Sequence, residues 1–508
     1  MNLPALESRR RIRLHNPLVS TLLATLLAGL VLLPLLGHKL LTNWDEGIYA
    51  EVSREMLSGS WLVPSWNHQP WFEKPPLMLW TTAGFFRIFG VNEFCARAGS
   101  AFSGIAIVAL LHGWLAHKQQ TAAAWLSTVM LLATFGFLHV CRVGEMDVLL
   151  SLGCCVALCG LSAVEERRLR GWYLFWGGFA IAAMTKGGAS IVLLFTVLLL
   201  ALIERWDLRR FGKHSGWGCL LFLLLVLPWH LYMVVRFGQE FLREYVGFHV
   251  LARASAPLEG HITHGWYYLW VLLVSAPPFV LLYPFALAAA VRRAELRVWA
   301  IFAFVVVGFF TLVQTRLPHY IAPSYPAFAV LTGLYLAHAN GAWLTRRHSR
   351  QSWMVLAGMA ISLYVAGALL TGGGRKRLHS PLEANGRVVL DGREPATLLR
   401  GIFHGGQGPP GFVLTWWEGT DRSIATSVFY SGRQVQQVLP GKPPGDAPFD
   451  RYTFAPVALD TEVVPEPRIL LLDRSLVEQI PHEFVYQPIA IGRDMEAGWI
   501  HRRPQSPR

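Results

Sequence analysis

Charge is scarce in this chain. Asp, Glu, Lys and Arg make up 15% of its 508 residues while hydrophobic residues make up 53%, and the mean hydropathy is +0.38. That balance excludes a soluble globular protein of this size. Acid is scarcer still, with 32 Asp and Glu against 45 Lys and Arg, a formal net charge of +13. No basic stretch is interleaved with aromatics in a nucleic-acid pattern, so no nucleic-acid partner is expected, although the surplus suits anionic membrane lipid. Cysteine is sparse and unpaired in pattern. Cys95, Cys141, Cys154, Cys155, Cys159 and Cys219 lie in or beside apolar segments with no CxxC…CxxC spacing, which fits small core residues and needs no disulfide framework. Also missing are repeats at solenoid periods and the inverted repeat of broken spans that transporters show. No small-x-small cleavage site stands before Asn43, so the first apolar run reads as an uncleaved anchor.

What the chain has is long apolar runs. A window of about 20 residues, enough to cross the hydrocarbon, finds about 11 spans: 17–36, 99–116, 121–140, 147–164, 172–185, 187–203, 216–235, 266–290, 298–314, 321–343 and 352–371. Basic residues cluster in every second loop, as at Arg9, Arg10, Arg11 and Arg13, then Arg167, Arg168 and Arg170, then Arg205, Arg209, Arg210 and Lys213. Lys and Arg are retained on the cytoplasmic side, so the intervening loops face outward. The expected fold is mainly α, a polytopic transmembrane helix bundle over residues 1–371, with the first outer loop at 37–98. Beyond Thr371 the polarity becomes ordinary. Apolar runs at 387–390, 411–417, 427–430 and 468–472 read as strands, with a short helix at 475–480, so residues 372–508 form an extracytoplasmic soluble α/β domain.

The chemistry gathers in the outward loops. Loop one carries Asp45, Glu46, Glu73 and Lys74; loop two Arg142, Glu145 and Asp147; later loops carry Lys186, then His249, Arg253 and His261, then Arg316 and His319. Charges at a membrane surface need partners or substrate to offset lost hydration. A carboxylate can act as general base, Lys and Arg can hold a phosphate leaving group, and a Glu–His pair can bind a divalent cation.

The ordered run Asp45-Glu46-Gly47-Ile48-Tyr49-Ala50-Glu51, then Trp61-Leu62-Val63-Pro64, then Phe72-Glu73-Lys74-Pro75-Pro76, resembles the first outer loop of the lipid A 4-amino-4-deoxy-L-arabinose transferases. These belong to the protein O-mannosyltransferase superfamily of C-type glycosyltransferases. Thr185-Lys186-Gly187, Pro228-Trp229 at a span's exit, His261 five residues before Trp266, Arg316-Leu317-Pro318-His319-Tyr320 and the tail segment 427–433 follow in the family's order. The resemblance implies a C-type glycosyltransferase fold. It further implies inverting transfer of a hexosyl or pentosyl group from a polyprenyl-phosphate donor, such as an undecaprenyl phosphate sugar, to a lipid or glycan acceptor. The setting it implies is the periplasmic or outer face of the bacterial inner membrane. Carried over by position, the resemblance makes Asp45 the expected catalytic carboxylate and Asp147 an expected second functional acid. Lys74 resembles the phosphate-holding residue, with Lys186, Arg316 and Tyr320 expected as further donor-site residues, and Glu73 with His261 resembles the divalent metal ligands, zinc in the arabinosyl branch. That branch has Arg three residues after the Asp, where this chain has Ile48.

Each role has a structural rival. Thr42-Asn43-Trp44-Asp45 fits a capping box, which makes Asp45 a helix cap; Glu73-Lys74 fits a surface ion pair. His264 competes with His261 as ligand, Glu145 with Asp147 as acid, and Lys186 can be a snorkelling terminus. At the level of function, the alternatives are a protein O-mannosyltransferase, separated by its Ser or Thr acceptor, and a non-enzymatic lipid-linked sugar transporter, which would need ionisable residues at mid-span rather than at span ends.

Overall fold

A computed structural model describes residues 16–42, 45–252, 264–339, 398–399, 403, 413–416, 429–431, 435–439, 457–458, 468–491 and 495–503. In chain order its principal helices are α1 (Pro17–Leu32), α2 (Asp45–Glu55), α3 (Leu77–Phe89), α4 (Glu93–His117), α5 (Thr121–Leu132), α6 (Phe135–Cys141), α7 (Asp147–Glu165), α8 (Gly171–Lys186), α9 (Val192–Ile203) and α10 (Leu208–Phe237). A short helix and a π-helical stretch, Arg243–Ala252, follow; then come α11 (Tyr267–Ser275), α12 (Tyr283–Ala290), α13 (Ala294–Leu312) and α14 (Ser324–Ala339). The strands are β1 (Ser65–Trp66), β2 (Gln69–Pro70), β3 (Val413–Trp416), β4 (Val435–Leu439), β5 (Val457–Ala458), β6 (Arg468–Asp473), β7 (Phe484–Ile491) and β8 (Met495–Arg502).

Contacts divide the chain into two compact units that do not follow its order. One comprises 1–36, 72–81 and 97–382; the other 37–71, 82–96 and 383–508. The expected boundary at 371/372 falls outside the described residues.

The first unit is a membrane-spanning helix bundle. Among the described residues, five helical stretches are long and apolar enough to cross a membrane: α4, α7, Gly171–Ile203, α10 and α13. The number becomes seven when the pairs α5–α6, bent by 70°, and Tyr267–Ser275 with Phe279–Ala290, bent by 118°, are each taken as one span. Three features separate this from the expected eleven. Helix α1 is 16 residues long, and α14 is 16 residues long as far as it is described, so neither reaches a full span among the described residues. The segments 172–185 and 187–203 run on as one helical stretch of 33 residues, broken at Lys186 (φ −148°, ψ 69°) and by a 3-10 turn at Gly187–Ile191. The last expected span, 352–371, lies outside the described residues. Pro228 sits inside α10 rather than at a span's exit.

Helix α7 is central. It packs on α8 and touches α9, α13 and α14, and Leu150, Cys154, Leu158 and Leu161 are buried. By contrast α10 exposes Leu220, Leu223, Leu224 and Leu227, a surface for lipid rather than water. The α7–α8 contact is a glycine seam. A Cβ on Gly178 would meet the Gly153 carbonyl oxygen at 2.4 Å, and one on Gly160 would meet the Gly171 oxygen at 2.5 Å. Only small residues let backbones approach so closely. The two pairings run antiparallel in one register, which carries the N-terminus of α7 to the C-terminus of α8.

In the second unit the tail forms a six-stranded sheet in the order β5-β4-β3-β6-β8-β7. β5, β4, β3 and β6 pair in parallel, while β8 pairs antiparallel with both β6 and β7. Leu470, Leu472, Leu476, Phe484 and Ile500 fill its core. The runs at 411–417 and 468–472 are strands as expected, and 475–480 becomes the 3-10 turn Arg474–Gln479. Residues 429–431 are helical where the pattern predicts a strand; there Phe429 is drawn into a buried apolar cluster, so tertiary packing overrides β propensity. The expected strand at 387–390 lies outside the described residues.

Candidate active site

The helix that begins at Asp45 carries four carboxylates, and three of them are committed. Glu46, 1% exposed, accepts through Oε2 from the Thr42 amide at 2.6 Å and from Thr42 Oγ1 at 2.9 Å. The backbone amide before the helix is thus satisfied by Glu46, not by Asp45. Glu51 receives the Arg54 guanidinium at 2.8 Å and 2.5 Å, and burial together with the Glu51 charge leaves the Arg54 pKa raised, attraction outweighing desolvation. Glu55 accepts from Ser65 Oγ at 2.7 Å and from the His68 amide at 3.1 Å. Among the described residues the Asp45 carboxylate, half-buried in the first turn, takes no hydrogen bond or ion pair. The cap reading passes to Glu46, and Asp45 is available for substrate.

Burial, then the Glu51 charge, raises the Glu55 pKa against the opposing bonds from Ser65 and His68. A carboxyl whose folded-state pKa lies above its unfolded one contributes stability at low pH and loses it as pH rises through the folded value. Glu55→Gln keeps an accepting oxygen for Ser65 and removes the buried charge. Its unfolding temperature at pH 8 is expected to equal or exceed that of the parent, measured by thermal unfolding in detergent; a fall of several degrees contradicts this.

In the first unit Asp147 opens α7, where the helix dipole favours an anion, and Lys186 closes the antiparallel α8, where it favours a cation. The glycine seam brings them together: Lys186 Nζ donates to both Asp147 carboxylate oxygens at 2.9 and 3.0 Å. The side chains are 15% and 3% exposed, so Lys186 is part of a buried pair and not a snorkelling end. Its ammonium also lies over the Tyr320 ring, 4.8 Å from the centroid. Beside it, His319 Nδ1 lies 3.6 Å from a Glu145 carboxylate oxygen. Glu145, Asp147 and His319 each offer a ligand atom within 4.8 Å of the others. This acid–imidazole group could hold a cation, in competition with Lys186, which already occupies both Asp147 oxygens.

Glu73 and Lys74 form a second group in the same unit. Lys74 Nζ is 3.9 Å and His249 Nδ1 3.7 Å from Glu73 Oε2, and the Glu73 and His249 side chains are buried. His261, expected as its partner, lies outside the described residues. His249 was within reach of sequence reasoning, since it shares a loop with His261, but only the π-helical stretch that carries it brings it to Glu73. His264 is described, and its ring stacks on Trp266. Arg316 donates to the carbonyls of Thr311 and Val313 at the end of α13. Behind Lys186, a Cβ on Gly187 would lie 2.2 Å from the Tyr245 hydroxyl. Glycine there is a packing requirement of the Lys186 turn.

Residues 73–232 match the family described as dolichyl-phosphate-mannose-protein mannosyltransferase. The undecaprenyl phosphate-alpha-4-amino-4-deoxy-L-arabinose arabinosyl transferase of Erwinia tasmaniensis is 33% identical over 312 residues, 58% of this chain and 54% of that protein. That of Shewanella sediminis is 30% identical over 332 residues, 62% of this chain and 59% of that protein. The match therefore spans little more than half the length of these relatives. The crystal structure of ArnT from Cupriavidus metallidurans bound to undecaprenyl phosphate superposes with a TM-score of 0.75, covering 94% of this chain and 97% of that one at 19% identity. The fold is that of the ArnT structure, and the sequence is similar to these arabinosyl transferases over about three-fifths of the chain. Within that fold, which the apo ArnT structure shares at a TM-score of 0.72, the matched segment 73–232 begins at Glu73 and contains Lys74, Asp147 and Lys186. Asp45 lies before it and Tyr320 beyond it.

Proposed function

We propose that this protein is an inverting glycosyltransferase of the membrane, moving a hexosyl or pentosyl group from a polyprenyl-phosphate donor to a lipid or glycan acceptor at the outer face of the inner membrane. The observation that carries the reading is the Asp45 carboxylate, without a hydrogen bond or ion pair among the described residues, on a helix whose other acids are all engaged. The resemblance of its loop, and the activity printed for the relatives, supply the reaction class.

In the transfer an acceptor oxygen attacks the anomeric carbon, a C–O bond forms there, and the bond from that carbon to the phosphate oxygen breaks with its electron pair leaving on the polyprenyl phosphate. Positive charge builds on the sugar and negative charge on the phosphate. Lys74 is assigned to the phosphate, with Lys186, aligned by Asp147 and the Tyr320 ring, as the second cation, and Arg316 at the edge of the donor site. Asp45 takes the proton of a hydroxyl acceptor, or orients an acceptor that is already an ionised phosphate. Ile48, 1% exposed, stands where the arabinosyl branch has Arg, so this chain supplies its phosphate charge from lysine, and its donor need not be the arabinosyl one.

Glu73 and His261 are assigned a divalent ion, zinc by resemblance. A carboxylate with an imidazole is a donor set zinc accepts, and the buried Glu73 with an imidazole already beside it fits that requirement. When bound, the ion would add positive charge next to Lys74. Glu73→Gln and His261→Ala are each expected to lower bound zinc, read by elemental analysis of purified protein; unchanged metal content sinks the assignment.

The family description of residues 73–232 favours one second reading, transfer to Ser or Thr of a secreted protein. The experiment is transfer by purified full-length protein from a panel of synthetic undecaprenyl-phosphate sugars. Lipid, glycan and Ser/Thr peptide acceptors are offered in parallel. Sugar on the lipid or glycan supports the proposal, sugar on the peptide replaces it with the second reading, and no consumption of any donor overturns both.

A further inference from the structure

The tail takes no part in the chemistry above, yet part of it is built into the first loop. Within one compact unit, Phe429 of the helical turn 429–431 lies in a buried cluster with Leu41, Ala50, Phe86, Cys95 and Ala96. The Phe429 and Phe86 rings are 6.4 Å apart at their centroids, within the range of favourable aromatic pairing. Next along the chain, the Tyr430 hydroxyl accepts from the Leu41 amide at 2.8 Å and donates to Glu93 Oε1 at 3.3 Å. Glu93 is the first residue of α4.

These contacts bracket Asp45. Leu41 precedes it by four residues, and Ala50 follows it by five on α2. Two consecutive amides enter that helix: Thr42 N–H is held by Glu46 from within the loop, and Leu41 N–H by Tyr430 from the tail. A buried amide left without an acceptor is penalised, so the hydroxyl constrains where the chain enters α2. The apolar cluster fixes the same helix one turn past Asp45. One pair of tail residues thereby sets both the entry and the seating of the helix that bears the catalytic carboxylate.

We propose that the C-terminal region is a brace for the first loop, with Phe429 and Tyr430 as positioning residues for α2 and hence for Asp45. Its consequence for activity rests on the glycosyltransferase reading; its consequence for the helix does not. The test uses full-length protein in nanodiscs, with Tyr430→Phe and Phe429→Ala. Tyr430→Phe keeps the ring and its packing and loses only the hydroxyl, so it remains informative where Phe429→Ala fails to fold.

Hydrogen exchange over residues 41–55 is expected to quicken about three- to tenfold in Tyr430→Phe, the scale of one buried hydrogen bond, and more in Phe429→Ala, while exchange in α7 stays at the parent rate. Transfer is expected to lose about ten- to a hundredfold in kcat at unchanged donor KM, because Lys74 and Lys186 are untouched. Unchanged exchange over 41–55 in Tyr430→Phe overturns the brace, as does a loss that appears only in donor KM. Faster exchange in a protein that transfers from no donor leaves the brace standing and removes the glycosyltransferase reading instead.

Discussion

Asp45→Asn is expected to lower sugar transfer by about a hundred- to ten-thousandfold, the range a positioned general base supplies, without lowering the unfolding temperature. The two halves of that expectation have one origin. Among the described residues Asp45 makes no hydrogen bond or ion pair, so an isosteric amide breaks none of the contacts described. Its neighbour behaves oppositely: Glu46 is buried and receives two bonds from Thr42, and Glu46→Ala is expected to cost about 1–3 kcal/mol of stability by orphaning the Thr42 amide. Thermal unfolding and initial transfer rates, measured on both variants, separate the roles. A destabilised Asp45→Asn would return Asp45 to the role of a cap.

The second large effect is at Asp147 and Lys186. Their side chains are nearly buried and joined by two short bonds, so removing either partner strands a charge in a low-dielectric site. Breaking a buried pair on one side costs about 3–5 kcal/mol. Lys186→Met and Asp147→Asn are each expected to lose that much stability and to lose transfer. The double variant is expected to regain much of the stability, since no lone charge remains, but no transfer, since the cation proposed for the phosphate is gone. Denaturation midpoints and transfer rates of the three variants check this. A double variant that transfers at the parent rate would show that the pair is structural only.

Much of this organisation was legible in sequence. Apolar runs gave α7 as 147–164, against Asp147–Glu165 observed, because a long buried helix has a strong compositional signature. Helix α3, 13 residues long, was absorbed into the expected loop at 37–98, since a window set by bilayer thickness passes over shorter helices. The proposed site residues can be named from the sequence, but not which of them meet. Asp147 meets Lys186 only because Gly153 and Gly160 of α7 fit against Gly178 and Gly171 of α8, and that register is a property of packing. The choice between Asp45 and Glu46 as cap turned on an i to i+4 reach back to Thr42, where the capping-box spacing points to i+3. Tyr430 reaches Leu41 across 389 residues. No local pattern carries such a contact, and it explains why residues 37–71 and 82–96 cluster with the tail.

The most direct test of the central claim is the anomeric configuration of the product, by NMR, after transfer from a polyprenyl-phosphate sugar of defined anomer, with Asp45→Asn run alongside. The account predicts complete inversion with the parent and a yield at least about a hundredfold lower with the variant. A product of retained configuration, or an equal yield from Asp45→Asn, would contradict a single in-line displacement assisted by Asp45.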